Sequence, residues 1–186
     1  MARTVYYTAT SLDGFIADAD NSLQWLFDVP RAEEDAADSW EEFIGAVGAL
    51  VLGSTTYEWV LAHEELLENP QRWKEFYGER PSWVLSSRDL PPLPGVDIRF
   101  ARGDVRPVHA EALDAAGGKD VWVVGGGDLA GQLHDAGLLD RVVVSVAPVT
   151  LGAGAPLLPR RIEGMHLVDV RQEGAMARLT YDVRRS

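Results

Sequence analysis

Apolar residues in this chain come in short continuous runs, separated by stretches where they recur every three or four positions. Residues 3–10, RTVYYTAT, are rich in β-branched and aromatic side chains and predict a strand. The segment SLDGFIADADN follows as a loop, with Asp13-Gly14 as its turn. Over 31–46, Ala36, Trp40, Phe43 and Val47 fall near 3.6 spacing with Glu33, Glu34 and Glu41 outside, which predicts a helix. ALVLG at 49–53 is an apolar run of strand length that a glycine ends. Thr55 to Leu67 then reads as a helix opened by Ser54, Thr55 and Thr56, all residues able to cap it.

The same unit recurs. SWVLSS at 82–87 is an apolar strand running into small polar residues and Arg88. VDIRFA at 96–101 is a shorter strand, and Val108–Ala116 a short helix. DVWVVGGG at 120–127 joins an apolar strand to three glycines, and a helix runs on from Asp128 to about Ala136. RVVVSVAPV at 141–149 is another buried strand. From His166 to Val183 apolar and polar residues alternate around Glu173-Gly174, the pattern of an antiparallel hairpin. Strand–helix alternation closed by a hairpin predicts an α/β fold: a mostly parallel central sheet with an antiparallel C-terminal hairpin. At 186 residues, a single domain spanning 1–186 is expected.

Composition narrows the chemistry. With no cysteine, disulfides, zinc-thiolate sites, iron–sulfur clusters and cysteine nucleophiles are excluded. His63, His109, His134 and His166 lie on different elements without ligand spacing, so no metal site is expected. No run approaches about 20 apolar residues, and MARTVYYTATSLDG lacks a signal-peptide core, so a cytoplasmic location is expected. The net charge of −12 is uneven: residues 28–79 carry thirteen acids against Arg31, Arg72 and Lys74, while 80–186 balance thirteen acids with thirteen bases. That argues against nucleic acid or an anionic membrane as partner, since both need a basic footprint. A small anionic ligand in the neutral half remains compatible.

Three predicted strands end in small residues: Gly53-Ser54-Thr55-Thr56, Ser86-Ser87-Arg88 and Gly125-Gly126-Gly127. In an open α/β sheet, ligands sit beyond those carboxyl ends. Glycine lets backbone approach a phosphate, a following helix offers unpaired N–H groups, and hydroxyls with one arginine suit a phosphate monoester. Together they describe a phosphorylated dinucleotide lying across the sheet edge. Gly125 to Ala130 also fits G-x-G-x-x-A, but the Rossmann motif should open the first βαβ unit and lead to an acid at the next strand end. That strand ends here in Ala147-Pro148-Val149-Thr150.

In its order and spacing of TSLDGFIA, LVLGSTTYE, WVLSSR, VWVVGGGDL and VAPVTLGAGAPLLP, nearly the whole chain resembles the dihydrofolate reductase-like fold. The resemblance is to the branch holding the C-terminal reductase domain of bacterial riboflavin biosynthesis (RibD-like). It implies NADPH, with Ala9 and Ile16 near the nicotinamide under the 11–20 loop, and Gly53, Thr55 and Thr56 on the pyrophosphate side. Leu85, Ser86, Ser87 and Arg88 would hold the adenosine end, the last three at its 2′-phosphate. Gly125, Gly126, Gly127, Asp128, Leu129 and Ala130 would wrap the diphosphate, with Gly125-Gly126 a cis peptide. A homodimer is also implied. Phe15 and Gly125 stand where riboflavin-type domains carry a lysine and a glutamate, which leaves the substrate open between a pteridine and a riboflavin precursor.

For the chemistry itself, the same resemblance calls for a carboxylate on the first helix as proton donor, and Asp38 stands nearest by distance to the next strand. Trp25 and Phe43 are candidates to stack on a planar heterocycle, and Ser145, polar within VVVSVAP, to face the substrate. The expected activity is an NADPH-dependent reduction of a small heterocyclic substrate. A dinucleotide-binding module without turnover is the alternative, and a scaffold that binds no dinucleotide a third.

Overall fold

The computed structural model describes residues 2–30 and 33–184, and for residues 33–39 the backbone alone. An eight-stranded sheet runs through the molecule. Its strands are β1 (Thr4–Ser11), β3 (Val47–Gly53), β4 (Ser82–Leu85), β5 (Ile98–Ala101), β6 (Asp120–Gly125), β7 (Arg141–Ala147), β9 (His166–Glu173) and β10 (Met176–Asp182). A two-residue β8 (Ala155–Pro156) pairs with β2 (Phe15–Ala17) in a small second sheet. The spatial order of the large sheet is β5-β4-β3-β6-β1-β7-β10-β9. All neighbours through β7 are parallel, while β10 runs antiparallel to β7 and β9 antiparallel to β10. The predicted fold class is the observed one.

Helices cover both faces, which is why the strands read as unbroken apolar runs. Because successive side chains alternate, Ala49 and Val51 of β3 and Val121 and Val123 of β6 pack toward α5 (Val105–Ala115) and α6 (Gly127–Asp135). Leu50, Leu52 and Trp122 belong to the opposite layer with α3 (Ser54–His63) and α4 (Arg72–Tyr77). Phe43 and Ile44 of α2 (Glu33–Ala46) pack onto that second layer, and the short α1 (Gln24–Phe27) is stacked against α3 through Phe27 and His63, 5.0 Å between ring centroids. Arg80 joins three of these pieces by donating to the carbonyls of Ile44 (2.6 Å), Tyr77 (2.8 Å) and Val47 (2.9 Å). Those groups end α2 and α4 and begin β3, where helix carbonyls lack partners of their own.

Several boundaries differ from the sequence reading. The helix expected to reach Leu67 stops at His63, because Glu65 takes a positive φ of 49° and turns the chain. Leu66 is still fully buried, so its apolar character reflects core packing after the helix, not helix. Of the three glycines expected between strand and helix, Gly125 ends β6 and Gly127 already belongs to α6, and the Gly125–Gly126 peptide between them is cis. β9 is an outer edge with Leu167, Val168 and Val170 exposed. Among the described residues no helix is long and apolar enough to cross a membrane, and no cluster of metal-ligating side chains occurs.

Candidate active site

Three contiguous cavities follow the carboxyl edge of the parallel strands. An outer one of about 410 Å³ lies against Gly53, Leu85, Ser86, Ser87 and Leu129. A central one of about 320 Å³ lies against Ile16, Trp59, Gly125 and Gly127. These two share Thr55, Thr56, Gly126 and Asp128. An inner cavity of about 320 Å³ is walled by Tyr7, Ala9, Trp40, Trp122 and Ser145, and shares Thr8 and Val124 with the central one. The switch in strand order brings this about: β6 and β3 lie on one side of β1 and β7 on the other, so the crevice opens where the strands diverge.

Of the residues assigned to a dinucleotide, Leu129 and Ala130 both pack into the core, Leu129 still touching the outer cavity and Ala130 lining none of the three. Arg88 stands at the rim of the outer cavity. Its guanidinium grips the Glu58 carboxylate at 2.9 and 2.6 Å and reaches the Ser54 hydroxyl at 3.3 Å. The Ser86 hydroxyl closes its own turn, accepting from the Arg88 amide and donating to the Arg88 carbonyl, both at 2.9 Å, while Ser87 is exposed. At the start of α6, Asp128 would oppose an anion, but Arg160 neutralises it at 2.8 Å and Gln132 donates to it at 2.7 Å. The glycines differ sharply. A Cβ on Gly126 would meet only Ile16 Cδ1, at 3.8 Å, and its backbone is extended (φ −97°, ψ −175°), not left-handed. A Cβ on Gly125 would press on Thr56 Oγ1 at 2.8 Å.

The 11–20 loop is pinned over the central cavity by one carboxylate. Asp13 accepts from the Leu151 amide at 3.1 Å, the Gly152 amide at 2.7 Å and the Ser11 hydroxyl at 2.6 Å. The Ser11 hydroxyl first, and then the two amides, hold its carboxyl below the usual carboxylate range. A carboxyl lowered in the folded state stabilises it at pH above its unfolded value, about 4, and that contribution is lost as pH falls through the lowered native value. Asp13→Asn should therefore melt below wild type at neutral pH, with the difference closing as the pH falls below the unfolded carboxyl's value of about 4. Melting curves across that range decide it; a constant difference would show that the charge is immaterial.

The inner cavity is aromatic. Tyr7 and Trp122 come from the same face of the paired strands β1 and β6, and Trp40 packs edge-on to Trp122 at 5.4 Å. Phe43 stands behind this wall, edge-on to Tyr7 at 4.6 Å and to Trp122 at 5.4 Å. On α1 it is Leu26, not Trp25, that lines the cavity; the Trp25 indole N–H is buried without a partner among the described residues. Ser145, beside Ala9 in the β1–β7 register, lines this cavity. Asp38 lies outside the described side chains. Glu173 and Met176, at the turn of the C-terminal hairpin, also line the cavity; antiparallel pairing brings that turn to the carboxyl edge. Nothing in the sequence marked them beyond the turn signal itself.

The family model described as the RibD C-terminal domain matches residues 4–174. The uncharacterized protein YwjB of Bacillus subtilis is 29% identical over 156 residues, covering 83% of this chain and 82% of that one. The riboflavin biosynthesis protein RibD of Mycobacterium tuberculosis is 32% identical over 148 residues, 77% of this chain but 41% of that longer protein. A protein of Shewanella sp. PV-4 named for riboflavin biosynthesis superposes over 100% of both chains with a TM-score of 0.78 and 25% identity. Dihydrofolate reductase from Enterococcus faecalis, solved with NADP(H), shares the fold alone, at a TM-score of 0.58 and 17% identity over 97% of this chain and 96% of that one.

Proposed function

This chain belongs to the RibD C-terminal domain family, and on that premise we propose that it is an NADPH-dependent reductase of a small heterocyclic substrate. The observation that carries the reading is the continuity of the three cavities, about 410, 320 and 320 Å³, whose shared lining residues join the outer loops to the aromatic wall as a dinucleotide with a planar substrate at its nicotinamide end would require. The residues present fit such a cofactor. Gly126 keeps side-chain volume out of the passage between outer and central cavities, and the first N–H groups of α6, beside it, would hold a diphosphate there. Thr55 and Thr56 offer hydroxyls to both cavities. When bound, the reduced nicotinamide supplies the hydride.

The protein's own part is orientation and exclusion of water. Ile16 and Ala17 of β2, held by pairing with β8, close one side of the central cavity. Thr8 and Val124 stand at the junction where the two rings would meet. Trp40, Trp122 and Tyr7 offer apolar faces for a planar ring in the inner cavity.

One observation favours the second reading, a binding module without turnover. The one carboxylate among the described residues lining the inner cavity, Glu173, is ion-paired with Arg178 at 3.0 Å and so has acceptor sites but no proton to give. Mixing the protein with NADPH and a panel of pterins, pyrimidines and quinones separates the two. Loss of the reduced-nicotinamide absorbance with one of these classes is the expected result. Tight NADPH binding with no oxidation across the panel would leave the module, and no NADPH binding would sink both.

A further inference from the structure

The C-terminal hairpin carries a charged pair that the reductase reading does not use. Glu173 ends β9 and Arg178 lies on β10, with Arg178 Nη1 3.0 Å from Glu173 Oε1 and side chains only 11% and 9% exposed. In the sheet register Arg178 sits opposite Ser145, and Ser145 opposite Ala9, so one row leads from the pair across to β1. Glu173, Ser145 and Ala9 all line the inner cavity, whereas Arg178 stands behind the carboxylate and does not. Among the described lining residues, then, the one charged side chain is an anion, set in a wall of tryptophan and tyrosine.

We infer that Glu173, with Ser145, is the polar recognition element of the inner cavity, and that it selects a planar, nitrogen-rich ring presenting exocyclic amino donors while giving no purchase to a phosphate. The inference rests on reading this cavity as the substrate site, and deepens that reading. An ion-paired carboxylate accepts hydrogen bonds and donates none, so the ring edge that meets it must carry the donors. Charge-assisted bonds of this kind are the stronger ones, and in an apolar cavity they discriminate because a ligand without donors leaves the carboxylate's shell unreplaced. Arg178 fixes the carboxylate in place, which makes it a preorganised acceptor and not a mobile one. A phosphate monoester entering here would meet negative charge first. The cavity, about 320 Å³, is of the size that takes one such ring system.

Matched probes test this, by calorimetric titration of the full chain with and without saturating NADPH. One pair is 2,6-diaminopurine against 2,6-dimethoxypurine, which keeps the ring and removes the amino donors. The other is uridine against uridine 5′-phosphate, which adds only the phosphate. The diamino ring should bind at least about tenfold tighter than its dimethoxy counterpart, and the phosphate should add no affinity. In Glu173→Gln the gap between the purines should close while NADPH affinity stays at the wild-type value, since Glu173 lines neither cofactor cavity. That variant leaves a buried guanidinium opposite a neutral amide and can lower stability, so the wild-type probe pairs decide the matter without it. Equal binding of the two purines, or a uridine 5′-phosphate that binds tenfold tighter than uridine, overturns the inference. If no probe binds while NADPH does, the inner cavity is not a ring site and the inference falls with it. Failure of NADPH to bind sinks the cofactor reading separately, because the purine comparison is also made without it.

Discussion

Gly126→Ala should cost NADPH at least about tenfold in affinity, the loss of one or two charge-assisted hydrogen bonds at roughly 1.5–3 kcal/mol each, and leave the melting temperature close to wild type. The added methyl meets no protein atom closer than Ile16 Cδ1 at 3.8 Å, and the residue's extended φ of −97° is open to any side chain. What the methyl fills is the passage shared by the outer and central cavities, both of which Gly126 lines. The backbone there opens α6, whose first N–H groups have no partner within the helix and are the donors a diphosphate would use. Alanine is a poorer helix cap than glycine, but it also loses less chain entropy on folding, so the two small effects oppose each other.

The neighbouring glycine should behave in the opposite way. A Cβ on Gly127 falls well inside contact distance of the carbonyl oxygens of Pro156 and Leu157, which are backbone atoms that cannot rotate aside. Pro156 is half of β8, paired with Phe15 of β2, so relief of the overlap has to push the small sheet off the large one. Overpacking of this kind costs about 3 kcal/mol or more, a fall of roughly 6–12 °C in melting temperature for a chain of this length. Calorimetric melting and NADPH titration on the two variants give a two-by-two comparison. If Gly126→Ala bound NADPH as wild type does, the glycine loop would have no place in the site. Equal thermal losses in the two variants would show that Gly126, too, is packed against protein.

That contrast between adjacent residues was not legible in the sequence, where Gly125-Gly126-Gly127 reads as one flexible unit. What was legible were the features that a single physical pattern determines. β3, β6 and β7 are buried on both faces and announce themselves as apolar runs, and the small residues at their ends mark the carboxyl edge. β2, β8 and α4 are too short for a period, and tertiary contacts make them: β2 and β8 exist by pairing with each other, α4 by burying Trp73 and Tyr77. The inner cavity was the least legible part. Its aromatic wall is indistinguishable by type from the core behind it, so Phe43 and Trp25 were as good candidates as Trp40 and Leu26. On a helix one position turns the side chain by about 100°, and that is the whole difference between Trp25 and Leu26. Glu173 looked like half of a turn because its role depends on β10 pairing with β7, a contact no local pattern encodes.

Arg88 is the sequence-assigned grip for the cofactor's 2′-phosphate, and its surroundings sharpen that assignment into a test of cofactor choice. Its guanidinium is already engaged by Glu58 at 2.9 and 2.6 Å, at the rim of the cavity that Ser54, Ser86 and Ser87 line. The pair is open to solvent, with Arg88 57% and Glu58 39% exposed, and exposed pairs hold by at most about 1 kcal/mol. A dianionic phosphate can therefore take the guanidinium over, but the Glu58 carboxylate stays within a few ångströms and opposes it by about 1 kcal/mol in a water-like dielectric. Arg88→Ala should lower NADPH affinity by about tenfold or more and leave NADH unchanged, because NADH has nothing at that position. Glu58→Gln should move the other way, raising NADPH affinity by about fivefold at low salt. That gain should shrink above about 0.15 M salt, where screening shortens to about 8 Å. Titrating both cofactors onto wild type and the two variants at two ionic strengths gives the answer. Equal affinity of the wild type for NADH and NADPH removes the phosphate from Arg88 altogether, and a Glu58→Gln variant that loses NADPH affinity would mean that the carboxylate positions the guanidinium for the phosphate instead of competing with it.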